Sequence, residues 1–324
     1  MGTRKQLLEM LDRGGDEYLS GAAIAGKLGI TRAAVWKQIK SLQLDGYQIE
    51  AIHSKGYRLA GNHDVLSEDS VKAFLGSESG AFTLEVYDTV SSTNTLLKSK
   101  AERAPDWTVL IAGKQTAGRG RIGRSFYSPS GTGIYLSVLL RQNIGPDPGR
   151  LTTAVAIAAC RAIEQCTGRT AQIKWVNDVF IEGKKVCGIL TEASVNYETG
   201  IPDCIIAGIG FNVYPPSDGF PSELSQTAGA ITESRQANLR SRLAAEFLLL
   251  FRKACENLNS VELLEEYRKR CFILGEPIFV LRGEERIPAT AISLREDFAL
   301  IVRYEDGREE ALRAGEVSIR PTHR

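Results

Sequence analysis

Apolar and polar positions change their period along the chain, and each change predicts a different architecture. In "RKQLLEMLDRG" the apolar residues Leu7, Leu8, Met10 and Leu11 recur at helical spacing and stop at Gly14-Gly15. In "YLSGAAIAGKLGITRAAVWKQIKSLQLDGY", Ser20 is placed to cap a helix with Ile24 and Leu28 on one face. Gly29 makes the turn, and Thr31 caps a second helix burying Ala34, Val35, Ile39 and Leu42. That spacing predicts a helix-turn-helix. Alternation through Tyr47, Ile49 and Ala51, with a return through Tyr57 and Leu59 around Ser54-Lys55-Gly56, adds a hairpin, or wing.

Residues 61–75 read as a linker into a short helix, after which strands and helices intermix. "FTLEVYDTV" predicts a strand that ends at "SSTN" and starts a helix. Residues 107–113 and "IYLSVLLR" predict buried strands, and "LTTAVAIAACRAIEQCTG" an apolar helix. "AQIKWVNDVFIEGKKVCGILTEAS" reads as two β-rich runs around Glu182-Gly183, and "CIIAGIGFNV" as a strand whose Gly208 and Gly210 allow close approach. Two helices follow, one with Leu243, Phe247, Leu250 and Phe251 on a buried stripe. From Gly275 onward, short alternating runs with turns at Arg282-Gly283 and Asp306-Gly307 predict a small β-barrel.

At 324 residues the chain has room for two or three cores. Its net charge of +1 hides an asymmetry, because residues 1–60 carry nine Lys/Arg against six Asp/Glu. A basic helix-turn-helix with Arg32, Trp36, Lys37 and Lys40 on its second helix points to DNA. So small a module contacts few phosphates, so useful affinity calls for a dimer. The six cysteines lack C-x-x-C spacing and follow no signal peptide or long apolar span, which predicts free thiols, a cytoplasmic setting and no membrane partner. The three histidines are too scattered for a metal cage, so any metal is expected to arrive with a nucleotide.

"KQTAGRGRIGRSFYSP" fits the G-x-G-x-x-G pattern of a dinucleotide loop, yet no helix opens after it and no acidic residue follows at about twenty positions. Three guanidiniums at Arg119, Arg121 and Arg124 repel one another until an anion arrives. The loop is therefore expected to order around a phosphate-bearing ligand. Ser91, Ser92, Thr93 and Asn94 either cap a helix or bind a polar head group. Strict alternation places Lys185 on one face of its strand and Gly188 on the other.

"SSTN", "KQTAGRGRIGR", "KWVND", "GKKVCGIL" and "GIGFNV" occur in the order and spacing of the biotin protein ligases. With the helix-turn-helix, nearly the whole chain resembles their bifunctional form, which also represses the biotin operon. The resemblance implies an α+β chain in three parts. A winged helix-turn-helix spans residues 1–62, and a mixed sheet flanked by helices, of class II synthetase-like fold, spans 63–274. An SH3-like barrel spans 275–324. It further implies that biotin and ATP, with Mg2+, form biotinoyl-AMP and pyrophosphate, and that biotin then passes to a lysine of a biotin carboxyl carrier protein.

In that resemblance, Arg119, Arg121, Arg124 and Lys185 neutralise charge at the α-phosphate. Ser92, Thr93, Asn94 and Gln115 hold biotin, and Gly118, Gly120 and Gly188 give backbone access. Asp178 orients the acceptor lysine, and Lys174 holds either the adenylate or that lysine, or else pairs with Asp178. Asn212 joins the ligand set and Arg320 faces the adenine. Thr31, Arg32, Trp36, Lys37 and Lys40 meet operator DNA in a homodimer carrying biotinoyl-AMP. Val176 stands where the family commonly has Pro, and Phe126 where it has Trp. Two other readings exist: a ligand sensor without turnover, against which the intact Arg119, Arg121 and Lys185 stand, and a lipoate ligase, against which the helix-turn-helix and the arginine loop stand.

Overall fold

A computed structural model describes residues 3–44, 47–60, 63–141, 148–195, 202–313 and 316–319. Helices α1 (Thr3–Arg13), α2 (Gly21–Leu28) and α3 (Arg32–Leu44) precede the hairpin of β1 (Ile49–Ile52) and β2 (Gly56–Leu59). The caps are those the sequence predicts: Ser20 accepts from Ala23 N at 3.1 Å, and Thr31 from Ala34 N at 3.2 Å. Gly29 ends α2 at φ 64°, the left-handed conformation that favours glycine at a helix end. Leu7, Leu11, Ile24, Val35, Ile39, Leu42 and Leu59 close a small core, while Ala34 is only half-buried and Ala51 is exposed.

The supposed linker is not a free tether. Asp64 and Val65 are fully buried, and Ser67 caps α4 (Glu68–Leu75). Asp64 looked like a solvated spacer residue, but it is the counter-charge of Arg240. The guanidinium Nε donates to Asp64 Oδ2 at 3.0 Å, and Nη2 donates to Tyr47 Oη at 3.0 Å. Tyr214 Oη donates to the same carboxylate oxygen at 2.7 Å. A fully buried ion pair thus ties the helix-turn-helix to the body.

The body is a seven-stranded sheet in the order β3-β4-β5-β9-β8-β7-β6. Its strands are β3 (Thr83–Tyr87), β4 (Thr108–Ala112), β5 (Gly133–Leu140), β6 (Gln172–Lys174), β7 (Asp178–Ile181), β8 (Lys184–Val195) and β9 (Pro202–Asn212). Only β3 and β4 run parallel. Helix α5 (Thr93–Lys100) covers one face through Leu97 and Ala101, against Leu110, Leu139 and Ile206. Helices α6 (Pro148–Thr167) and α7 (Leu239–Cys255) cover the other, so central β5 is buried along its whole length. Helix α6 is apolar nearly all round because it lies between sheet and helices. On the predicted α7 stripe, Leu243, Phe247 and Phe251 are fully buried, whereas Leu250 is only half-buried. No described helix is long and apolar enough to cross a membrane.

Two local expectations fail. "KWVND" is not a continuous strand: Trp175, Val176 and Asn177 form a turn between β6 and β7. Tyr267 on α8 (Val261–Arg270) donates to Val176 O at 3.0 Å, and the Trp175 indole donates to Phe298 O at 3.0 Å. Strict alternation along β8 also breaks. Val179 pairs with Cys187 but Phe180 with Lys185, so Val186 is an extra, bulged residue.

The C-terminal strands are β10 (Pro277–Arg282), β11 (Glu285–Leu294), β12 (Leu300–Tyr304), β13 (Glu309–Leu312) and β14 (Glu316–Ile319). They form a five-stranded antiparallel sheet in the order β13-β12-β11-β10-β14. Phe298, between β11 and β12, is the contact through which this sheet steadies the 175–177 turn.

Candidate active site

One cavity lies above the β8–β9 pair and gathers most of the predicted residues. Its polar wall begins with Ser92, whose hydroxyl caps α5, and continues through Thr93 and Asn94, all buried. Gln115 Oε1 accepts from Thr93 N at 2.9 Å, while Gln115 Nε2 donates to Ser128 Oγ at 3.0 Å. Ser137 Oγ lies 2.7 Å from Thr93 Oγ1 and 2.6 Å from Asn94 Oδ1. Asn94 Nδ2 donates to Glu192 Oε2 at 2.8 Å and to Leu190 O at 3.2 Å. These bonds fix the amide orientation, so the wall offers a preformed set of donors and acceptors.

Close approach explains two glycines, though side chains of the protein itself use the space. A Cβ at Gly208 would stand 2.1 Å from Asn94 Oδ1, and one at Gly210 would stand 2.4 Å from the Phe126 ring. Because Asn94 is held on every side, Gly208→Ala is expected to cost about 1–3 kcal/mol of stability. A lowered urea midpoint checks this; an unmoved midpoint would mean that Asn94 has room to shift.

The arginine loop is a small hairpin rather than the start of a helix, so the dinucleotide pattern is a coincidence of spacing. Phe126 N donates to Gly118 O at 2.9 Å and Gly120 N to Arg124 O at 2.7 Å. At its tip Ile122 has φ 52° and Gly123 φ 71°. A β-branched residue in the left-handed region costs on the order of 1–2 kcal/mol, and Ile122 is exposed and regains nothing by burial. Strain of this kind is characteristic of ligand clamps. Arg121 Nη1 donates to Asn177 Oδ1 at 3.0 Å, and Asn177 is locked to β8 by exchanging bonds with Ile189. Arg119 Nη1 lies 3.2 Å from Glu192 Oε1.

The bulge at Val186 turns Lys185 onto the same side as Gly188, where a Cβ would meet the Lys185 ammonium nitrogen at 3.3 Å. Lys185 Nζ stands 2.6 Å from Asp178 Oδ1, an ion pair at the cavity's edge. Lys185 also bridges to Ala228, and Lys184 Nζ donates to Gln226 O at 2.6 Å, so a loop over 224–229 packs beside the two lysines.

Not every predicted residue faces this cavity. Gly118 backs Gln115 and Phe126, Arg124 closes the hairpin through its backbone, and Lys174 stands opposite Asp178 in the β6–β7 register. Asn212 ends β9 and accepts from Ile231 N. Arg320 lies outside the described residues. Sequence alone assigns no role to Ser137, Asn177 or Glu192; a lone serine in "IYLSVLL" and a lone carboxylate in "GILTEAS" are the available signals.

Among the described residues no three of His, Cys, Asp and Glu converge to hold a metal. Asp178 and Glu192 are each already paired with a cation. The cysteines are free, and burial pushes the Cys160 thiol up to about 12 and Cys187 well above its ordinary value, which makes them poor nucleophiles.

At the other end, Arg32, Trp36, Lys37 and Lys40 are exposed along α3 beside the wing, and Trp36 is 53% exposed. Thr31 is spent on the helix cap. An apolar ring among three cations, flanked by a hairpin, matches the geometry of a groove-reading helix.

Compared with known proteins, residues 86–212 match the biotin/lipoate A/B protein ligase family and residues 3–58 match an HTH domain. The chain is 39% identical over 253 residues to the bifunctional ligase/repressor BirA of Bacillus spizizenii, covering 77% of each. It is 29% identical over 321 residues to that of Escherichia coli, covering 97% of this chain and 96% of the relative. The biotin protein ligase of Aquifex aeolicus, solved in complex with biotin and ATP, superposes with a TM-score of 0.63 at 28% identity. That likeness covers 74% of this chain and 99% of the other. The polar wall, the arginine hairpin and the lysine strand all fall inside the matched span, and the chain belongs to the biotin/lipoate A/B protein ligase family.

Proposed function

We propose that this protein joins biotin to ATP and passes it to a lysine of a biotin carboxyl carrier protein. With the adenylate bound, it dimerises on operator DNA as a repressor. The observation that carries the reading is one cavity holding both a fixed amide and hydroxyl wall and three cations, Arg119, Arg121 and Lys185. A neutral ring with polar edges suits the wall, and a developing phosphate charge suits the cations.

In the first step the biotin carboxylate attacks the α-phosphorus and pyrophosphate leaves, giving a mixed anhydride. Ser92, Thr93, Asn94 and Gln115 hold the ring, and Arg119, Arg121 and Lys185 face the new charge, with Gly120 and Gly188 allowing approach. Mg2+ arrives on the nucleotide phosphates and offsets part of their charge. Phe126 and the hairpin exclude water that would hydrolyse the anhydride. In the second step the acceptor ammonium gives up a proton to solvent, its free amine attacks the acyl carbon, and the acyl–oxygen bond breaks with AMP as the leaving group. Asp178 exchanges its pairing with Lys185 for the incoming ammonium and orients it, while Lys174, Asn212 and Arg320 complete the nucleotide side.

The same reading assigns residues 1–62 to DNA binding, 63–274 to catalysis and 275–324 to an SH3-like barrel that supports the 175–177 turn, in a cytoplasmic protein. Lys37→Ala is then expected to weaken operator binding, lower the slope of log affinity against log salt by about one, and leave ligation intact. Loss of both activities would mean that the two ends do not work separately.

Labelled biotin, ATP and a purified carrier domain test the whole reaction. Label on the carrier that survives denaturation is expected. Adenylate that forms and never transfers would instead indicate a sensor without turnover, and preference for lipoate would indicate the lipoate branch of the family.

A further inference from the structure

Glu192 is a half-buried carboxylate that serves two partners lining the cavity. Its Oε2 accepts from Asn94 Nδ2 at 2.8 Å, and its Oε1 lies 3.2 Å from Arg119 Nη1. The two partners differ in freedom. Asn94 is buried and fixed by Ser137 and Leu190 O, and the absent Cβ of Gly208 makes its space. Arg119 is half exposed, with 51% of its side chain open, on a hairpin that also reaches Asn177 through Arg121. The Glu192 side chain is 23% exposed, so its charge is partly withdrawn from solvent and keeps an opposite charge close.

We propose that Arg119 and Glu192 form a latch, in which Glu192 is a positioning residue that pins the first arm of the hairpin to the rigid biotin wall. Two of the hairpin's attachments then differ in kind. Arg121 donates to Asn177, a neutral partner. Before any nucleotide arrives the charge of Arg119 is held by Glu192, so in the biotin-only state Arg119 closes the mouth above the biotin ring. This deepens the ligase reading and rests on it.

The consequence is kinetic. A latch over the ring slows escape of biotin itself, before any nucleotide is present, whereas a phosphate ligand slows escape of the adenylate alone. A half-exposed ion pair of this kind is expected to change the dissociation rate about fivefold.

The test is a double-mutant cycle on full-length protein with Arg119→Gln, Glu192→Gln and the pair, read as dissociation of labelled biotin without ATP. Glu192→Gln keeps an oxygen acceptor for Asn94, and its melting temperature reports whether the wall survives. The expected result is that each single variant releases biotin about fivefold faster and the pair no faster than either one. Effects that multiply in the double variant, or a Glu192→Gln rate equal to that of the unmodified protein, would overturn the latch. Unmodified protein that holds no biotin would overturn the ligase reading and, with it, the latch. A Glu192→Gln protein with a lowered melting temperature would be replaced by the Arg119→Gln and Arg119→Glu pair. The latch predicts at least equal acceleration from the second of these, and slower release from it would overturn the proposal.

Discussion

Replacing Lys185 with alanine is expected to slow formation of the biotinoyl adenylate by about 10²–10³-fold, the usual cost of deleting a donor aimed at developing charge. The geometry makes the group irreplaceable. The bulge at Val186 is what turns this lysine toward the Gly188 side, where it pairs with Asp178 at 2.6 Å. Without it Asp178 keeps its negative charge at the cavity's edge and repels the phosphate, so removal both subtracts an attraction and exposes a repulsion. Stability should move little, because the Lys185 side chain is 32% exposed. Single-turnover measurement at saturating biotin and ATP separates chemistry from binding. A loss below tenfold would mean that Arg121 alone supplies the stabilisation.

The largest expected effect on stability lies far from that cavity. Asp64→Ala should lower unfolding free energy by about 3–5 kcal/mol, because it strands a buried guanidinium. Arg240 is 2% exposed and Asp64 0%. Burial on its own would push Arg240 toward losing its proton, but Tyr47, Asp64 and Tyr214 hold it well above its ordinary value. Since Tyr47 belongs to the helix-turn-helix core, the early loss in urea should include α1 to α3. Denaturation followed by Trp36 fluorescence and by far-ultraviolet dichroism checks both statements. A loss under 1 kcal/mol would show that the pair specifies the docking of the two parts without stabilising it.

Elements whose signals are local were legible in the sequence. The caps at Ser20 and Thr31, the turn at Gly29, the apolar β5 and the buried face of α7 follow from side-chain chemistry within one turn or strand. The motif residues around the cavity were legible through their family resemblance, and periodicity alone left the four residues of "SSTN" as plausible caps. What was not legible depends on partners far away in sequence. Asp64 resembles a linker residue until Arg240 folds against it, 176 positions later. Glu192 and Ser137 look like isolated polar interruptions until Asn94 joins them. The bulge on β8 escaped for a different reason: alternation assumes one residue per partner, and nothing in "GKKVCGIL" marks Val186 as the extra one.

Biotin-dependent exchange of labelled pyrophosphate into ATP tests the central claim most directly, because it reports the adenylation step without needing the acceptor. With purified full-length protein, exchange is expected with biotin and absent with lipoate or with no acid. Exchange with lipoate alone, or none with any acid, would contradict the account.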